Sequence, residues 1–119
     1  MVEVEVVATD ATGILLGAPQ KTTVLVDSGA DFTMLDDRLA PLLGVPSSFG
    51  RPISLEGIAN NEVHGRLVPL KIGLCGAWID APVMFCPRPD PQLLGRAGVF
   101  DQMTFSFIHG QSRLFAAAA

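Results

Sequence analysis

The sequence predicts a compact, turn-rich all-β domain, and three observations carry that prediction. Hydrophobic residues make up 49% of the 119-residue chain and charged residues 17%, enough apolar material for a core and too little charge for disorder. Twelve glycines and nine prolines punctuate it, as frequent strand reversals require. Between those breaks, apolar and polar residues alternate over short runs, the period of a strand with one buried face. The length fits one domain, residues 1–119, with Ala116-Ala117-Ala118-Ala119 expected as a disordered tail at the domain edge.

Taken in order, Val2 to Thr9 alternates Val with Glu and reads as a strand with one solvated face. Asp10 to Gly13 is a turn, Ile14 to Leu16 a short return strand, and Gly17-Ala18-Pro19 a loop. Lys21 to Val26 is a β-branched strand leading into Asp27, and Thr33-Met34-Leu35 is another short strand. Asp36 or Asp37 is placed to cap a brief helix that Gly44 ends, and Pro41 limits it to two irregular turns. Pro52 to Glu56 and Glu62 to Ile72 form a hairpin around Gly57-Ile58-Ala59-Asn60-Asn61, residues that tolerate positive φ. Gly73 to Gly76 turns the chain and Ala77 to Phe85 returns it. Pro87-Arg88-Pro89-Asp90-Pro91 is a rigid loop before the apolar Leu93-Leu94-Gly95. Arg96 to Gln102 suits one or two helical turns, and Thr104 to Phe107 alternates as a strand. An apolar strand ending at Gly and followed by a helix thus occurs twice, around Gly29 and around Gly95.

Composition narrows the function classes. The net charge is −4 and the eight basic residues are scattered, so a nucleic-acid partner is not expected. No run approaches the roughly 18 apolar residues of a membrane span, and the acidic start does not read as a signal peptide. Cys75 and Cys86 lie at opposite ends of a hairpin, so no disulfide is expected and a reducing, cytoplasmic setting is compatible. His64, His109 and the two cysteines lack close ligand pairs, so neither a metal nor another cofactor is expected. A Gly-x-Ser-x-Gly elbow and a phosphate-binding glycine loop are both missing. The high apolar fraction has two explanations: a large core, or apolar surface covered by a partner.

The chemistry concentrates in Val24-Leu25-Val26-Asp27-Ser28-Gly29-Ala30-Asp31, an apolar strand that ends in a carboxylate. Burying a carboxylate is costly unless something uses or compensates it. This stretch resembles the active-site loop of retroviral-type aspartic proteases, the retropepsins, which carry Asp-Thr/Ser-Gly-Ala after an apolar strand. Gln92-Leu93-Leu94-Gly95-Arg96 resembles their second signature, and Ile53 to Val68 is spaced like their flap hairpin. Order and spacing agree from roughly Thr22 to Phe107.

The resemblance implies a closed, β-barrel-like acid-protease fold with one or two short helices and one lobe per chain. It also implies an aspartic endopeptidase that works as a homodimer on a peptide or protein substrate, because each chain supplies a single catalytic Asp27. Ser28 would orient the loop across the two-fold axis (a local turn hydrogen bond is the alternative), Gly29 would allow close backbone approach and hydrogen bonds to the carboxylates, and Ala30 would be part of the supporting loop. Asp31 and Arg96 are expected to form a partly buried ion pair bracing the loop, against the alternative of two solvated charges. Gly57, Ile58, Ala59 and Asn60 would form the flap tip, although Asn60-Asn61 departs from the Gly-rich tips of the family. Leu93, Leu94 and Gly95 would form the second signature, two apolar residues and a Gly before a C-terminal helix. The chain from Phe105 to Phe115 is longer than the terminal strand of the viral members, so a C-terminal hairpin and interleaved termini are both candidates for the dimer interface. The competing function is a catalytically silent protease-like fold serving as a peptide-binding or dimerisation module.

Overall fold

The computed structural model describes residues 1–56 and 62–101 in full, and the backbone of 103–108 and 113–118. Its first strand, β1 (Val2–Val7), follows the alternation of its sequence: Val4 and Val6 are buried while Glu3 is exposed. It pairs antiparallel with β2 (Gln20–Val26), Val2 opposite Val24. Between them Asp10 folds the reversal by accepting hydrogen bonds from the Thr12 and Ile14 N–H groups at 2.8 and 3.0 Å. The expected return strand at Ile14 to Leu16 shrinks to a single bridge, Thr9 to Leu15.

Strand β3 (Thr33–Asp36) leads into the short helix α1 (Leu39–Leu43), which ends at Gly44. Pro41 lies in its first turn, where the missing N–H has no partner to lose. The aspartates do not cap it: Arg38 is the N-cap residue, and Asp36 instead accepts the Arg38 N–H and grips its guanidinium. Next come β4 (Arg51–Glu56), β5 (Glu62–Leu74) and β6 (Ala77–Cys86), joined as successive antiparallel pairs. The residues between β4 and β5, among them Gly57, Ile58, Ala59 and Asn60 of the expected flap tip, lie outside the described residues.

Strand β7 (Leu93–Leu94) is only two residues long, yet it joins two parts of the sheet. It lies parallel to β2 and antiparallel to β3, while β3 in turn runs parallel to β6. A further pairing of β1 with β5 closes the order β1-β2-β7-β3-β6-β5 on itself, leaving β4 outermost. Side chains from this closed sheet form one core, with Val6, Val24, Leu35, Ile72, Val83, Phe85 and Leu94 all essentially inaccessible.

The second expected helix is absent. Ala97 (φ −62, ψ 121) and Gly98 (φ 74, ψ −16) instead make a type II turn within Arg96–Phe100, and the positive φ falls on the one residue without a Cβ. The expected strand–Gly–helix repeat is therefore not formed: a turn follows Gly95, and strand β3 follows the Gly29 loop before α1. Strands β8 (Met103–Ile108) and β9 (Arg113–Ala118) form a separate two-stranded antiparallel sheet. Ala116, Ala117 and Ala118, expected as a tail, belong to β9 opposite Phe105, Thr104 and Met103.

Candidate active site

Strand β2 delivers Asp27 to the point where the sheet opens. The Leu25 N–H donates to the Gln92 carbonyl at 2.8 Å, and the Asp27 N–H to the Leu94 carbonyl at 3.1 Å. The ladder stops there and the chain turns, with the Ala30 N–H reaching the Asp27 carbonyl at 3.2 Å. Within that turn the Gly29 N–H donates to Asp27 Oδ1 at 2.9 Å, which fixes the carboxylate's orientation. Asp27 is half-buried, not fully enclosed, so its free oxygen faces the cleft at a smaller desolvation cost than the sequence suggested. Ser28 beside it is exposed and makes no hydrogen bond to the described residues of its own chain.

The second signature is stitched to the first by backbone bonds. The Arg96 N–H donates to the Ala30 carbonyl at 2.9 Å and the Ala97 N–H to the Asp31 carbonyl at 3.0 Å. Gly95 is required for this approach: a Cβ there would sit 2.8 Å from the Thr33 nitrogen and closer still to the Phe32 carbonyl. Arg96 forms an ion pair with Asp31, joining two loops 65 residues apart. In the single chain the pair is largely open to solvent. Its side chains are 54% and 62% exposed, which limits its stabilisation in the single chain to under about 1 kcal/mol.

Two polar side chains do more to hold the loops than the charged pair, and the sequence assigned neither of them a bracing role. The Thr33 hydroxyl is buried and accepts the Gly95 N–H at 3.1 Å. Gln92 spans three segments: its Nε2 donates to Thr22 Oγ1 at 2.7 Å and to the Thr23 carbonyl at 3.0 Å, while its Oε1 accepts the Asp36 N–H at 2.8 Å. The available signal was a polar residue directly before each of two apolar runs, Thr33 and Gln92, although local sequence does not say which partner each meets.

Around Asp27 lies a cleft of about 640 Å³ walled by Phe32, Met34, Leu55, Val63 and Leu93, with Gly29, Ala30 and Asp31 on its rim. Leu55 and Val63 lie directly opposite each other on β4 and β5, one pair short of where the two strands end, so that end of the hairpin forms one wall. Leu94 is buried behind the loop in the core, so the two leucines of the signature serve opposite sides. Another concavity of about 540 Å³, lined by Thr22, Asp36, Leu42 and Pro91, contains none of the Asp27-loop residues. Among the described residues no group of three His, Cys, Asp or Glu side chains is placed to hold a metal ion, and no helix is long and apolar enough to cross a membrane.

No family model matches the sequence, and no curated protein matches it. Among solved structures, the chain resembles EIAV protease complexed with the inhibitor HBY-793, with a TM-score of 0.53 at 22% identity. The match covers 80% of this chain and 79% of that one. At that identity the likeness concerns the fold, which is retropepsin-like and all-β.

Proposed function

We propose that this chain is an aspartic endopeptidase that acts as a homodimer, with Asp27 of each subunit forming the catalytic pair. The observation that carries the reading is the Asp27 carboxylate, oriented by the Gly29 N–H and opening into a cleft whose walls are mostly apolar, with Asp31 and Glu56 also lining it. One chain holds one such carboxylate, so the pair needs a second copy related by a two-fold axis. Two carboxylates about 3 Å apart do not both ionise cheaply; they hold one proton between them and titrate as a unit.

In this mechanism the ionised member takes a proton from a water molecule, whose oxygen attacks the scissile carbonyl carbon. The protonated member gives its proton to the carbonyl oxygen, producing a tetrahedral diol. The proton taken from water then passes to the amide nitrogen as the C–N bond breaks. A diol proton returns to the other carboxylate, restoring the starting state without a covalent intermediate. The exposed Ser28 hydroxyl supports a role across the axis better than a local turn bond does. The β4–β5 hairpin would serve as a lid, lending backbone hydrogen bonds to an extended peptide. The walls of the cleft favour apolar residues flanking the cut. Activity is expected to favour acidic pH, where the pair retains its proton. No metal or organic cofactor enters the scheme.

The test is a peptide library incubated with the full chain across pH, beside Asp27→Asn and a statine-type inhibitor. Cleavage by the unmodified chain, inhibited by statine and abolished in Asp27→Asn, is the expected result. Cleavage that persists in Asp27→Asn sinks the mechanism. A well-folded dimer that cleaves nothing establishes the silent binding or dimerisation module instead.

A further inference from the structure

We propose that Gln92 is a positioning residue: its side-chain amide stands in for a missing peptide group of β7 and closes the seam at which Asp27 leaves the sheet. Its service to catalysis rests on the paired-carboxylate reading; the seam itself does not. In the closed sheet β7 is the thinnest member. It meets β2 at Leu25–Leu93 and Val26–Leu94, and β3 at Met34–Leu93 alone. By contrast, β5 and β6 run together from Arg66–Phe85 to Leu74–Ala77. Asp27 follows directly on Val26, at the inner end of this weak joint.

The sequence explains why β7 is short. Pro89 and Pro91 precede it, and proline has no N–H to give to a ladder. The Gln92 carboxamide takes over at the outer end. Its Nε2 donates to the Thr23 carbonyl of β2 at 3.0 Å, and its Oε1 accepts the Asp36 N–H of β3 at 2.8 Å. Those are the bonds a peptide group makes between two neighbouring strands, one given and one taken. The other Nε2 hydrogen goes to Thr22 Oγ1 at 2.7 Å. Among side chains, only those of asparagine and glutamine carry donor and acceptor on one planar amide. Strands β2 and β3 are thus joined to each other across β7.

The clasp acts on Asp27 through β2. The Gln92 carbonyl accepts the Leu25 N–H at 2.8 Å, and the Leu94 carbonyl accepts the Asp27 N–H at 3.1 Å. Gln92 therefore fixes β2 twice, by its side chain at Thr22 and Thr23 and by its backbone at Leu25. Asp27 lies two residues further on, and its Oδ1 is held locally by the Gly29 N–H, so the carboxylate moves with the strand end. Two carboxylates share a proton only at close separation, and small misplacements of reacting groups are costly. The position of β2 is therefore a condition of the chemistry.

The experiment compares the full chain with two variants. Gln92→Met keeps the length of the side chain without its hydrogen bonds, and Gln92→Glu accepts but does not donate at neutral pH. Amide hydrogen exchange is followed by NMR at Asp27 and Asp36, with Ile72 of the core as the reference for global stability. In Gln92→Met both amides should lose about tenfold in protection beyond any change at Ile72. In Gln92→Glu at neutral pH the Asp36 amide should stay protected while the Asp27 amide does not. At about pH 4, where a glutamate begins to carry its proton, the carboxyl donates to Thr23 again and the Asp27 amide recovers in part. Where the parent cleaves peptide, Gln92→Met should lower kcat about tenfold and leave KM within about twofold. Protection unchanged at both amides, or lost equally at Ile72, overturns the proposal. If the seam loosens as expected and the parent cleaves nothing, the catalytic reading fails and the clasp stands. If the parent cleaves and Gln92→Met keeps its kcat, the positioning role is overturned and the catalytic reading stands.

Discussion

Replacing Thr33 with Val tests the hydrogen bond that fastens the two signature loops to each other. Valine keeps the β-branched shape of threonine but removes the hydroxyl that accepts the Gly95 N–H at 3.1 Å. Thr33 is 1% exposed and Gly95 is also buried, so the orphaned N–H has no route to bulk solvent. Leaving a buried donor unpaired costs about 1–3 kcal/mol. The added methyl returns about 0.8 kcal/mol of apolar burial, for a net loss of about 0.2–2 kcal/mol. Urea unfolding at fixed protein concentration and neutral pH reads this directly. With a slope of about 2 kcal/mol per molar, the midpoint falls by about 0.1–1 M. Hydrogen exchange supplies a local readout, because the Gly95 amide should lose protection beyond the global change. A Thr33→Val chain as stable as the parent, or more stable, refutes the reasoning: burial of the methyl would then be all that mattered at this position.

Three other outcomes follow from the same coordinates. Gly95→Ala forces a Cβ against the Phe32 carbonyl and the Thr33 nitrogen, where the close atoms are backbone, and should cost about 2–4 kcal/mol in the same assay. The Arg38 guanidinium beside Asp36 holds that carboxyl below the usual aspartate range, first through their side-chain hydrogen bonds. A depressed pKa adds stability above the unfolded value near 4 that fades as pH falls through the folded value. Arg38→Ala should therefore be less stable than the parent at pH 7 and converge with it in acid, and a constant gap across pH would contradict this. Finally, burial pushes the Cys86 thiol up while Cys75 is exposed, so a thiol reagent should label one cysteine in the folded protein and the second only on unfolding. Two fast-reacting thiols in the native state would count against the placement of Cys86.

The site was legible where local chemistry suffices. Val24-Leu25-Val26 ends in Asp27, and any fold must then accommodate a carboxylate at the mouth of an apolar strand. Leu93-Leu94-Gly95 announces a second apolar run broken by a close approach, and the clash at Gly95 is that approach. The strands that alternate, β1 above all, lie where alternation put them, because side chains on a strand face opposite sides by geometry alone. Elements set by local competition were read less well. Arg96–Phe100 has helical composition, yet Gly98 and the backbone bonds to Ala30 and Asp31 draw it into a turn.

The sequence by itself determined the presence of one Asp-Ser-Gly carboxylate, its apolar approach strand, and the glycine behind it. Only the tertiary structure decided what holds them: Gln92 reaching Thr22 and Thr23, Thr33 reaching Gly95, and β1 meeting β5 to close the sheet. It also decided that Asp31 and Arg96 meet in the open. The physical reason is separation along the chain. Periodicity and turn chemistry act over a few residues, whereas these bonds join residues 62 to 70 apart and exist only once the sheet has brought β7 between β2 and β3.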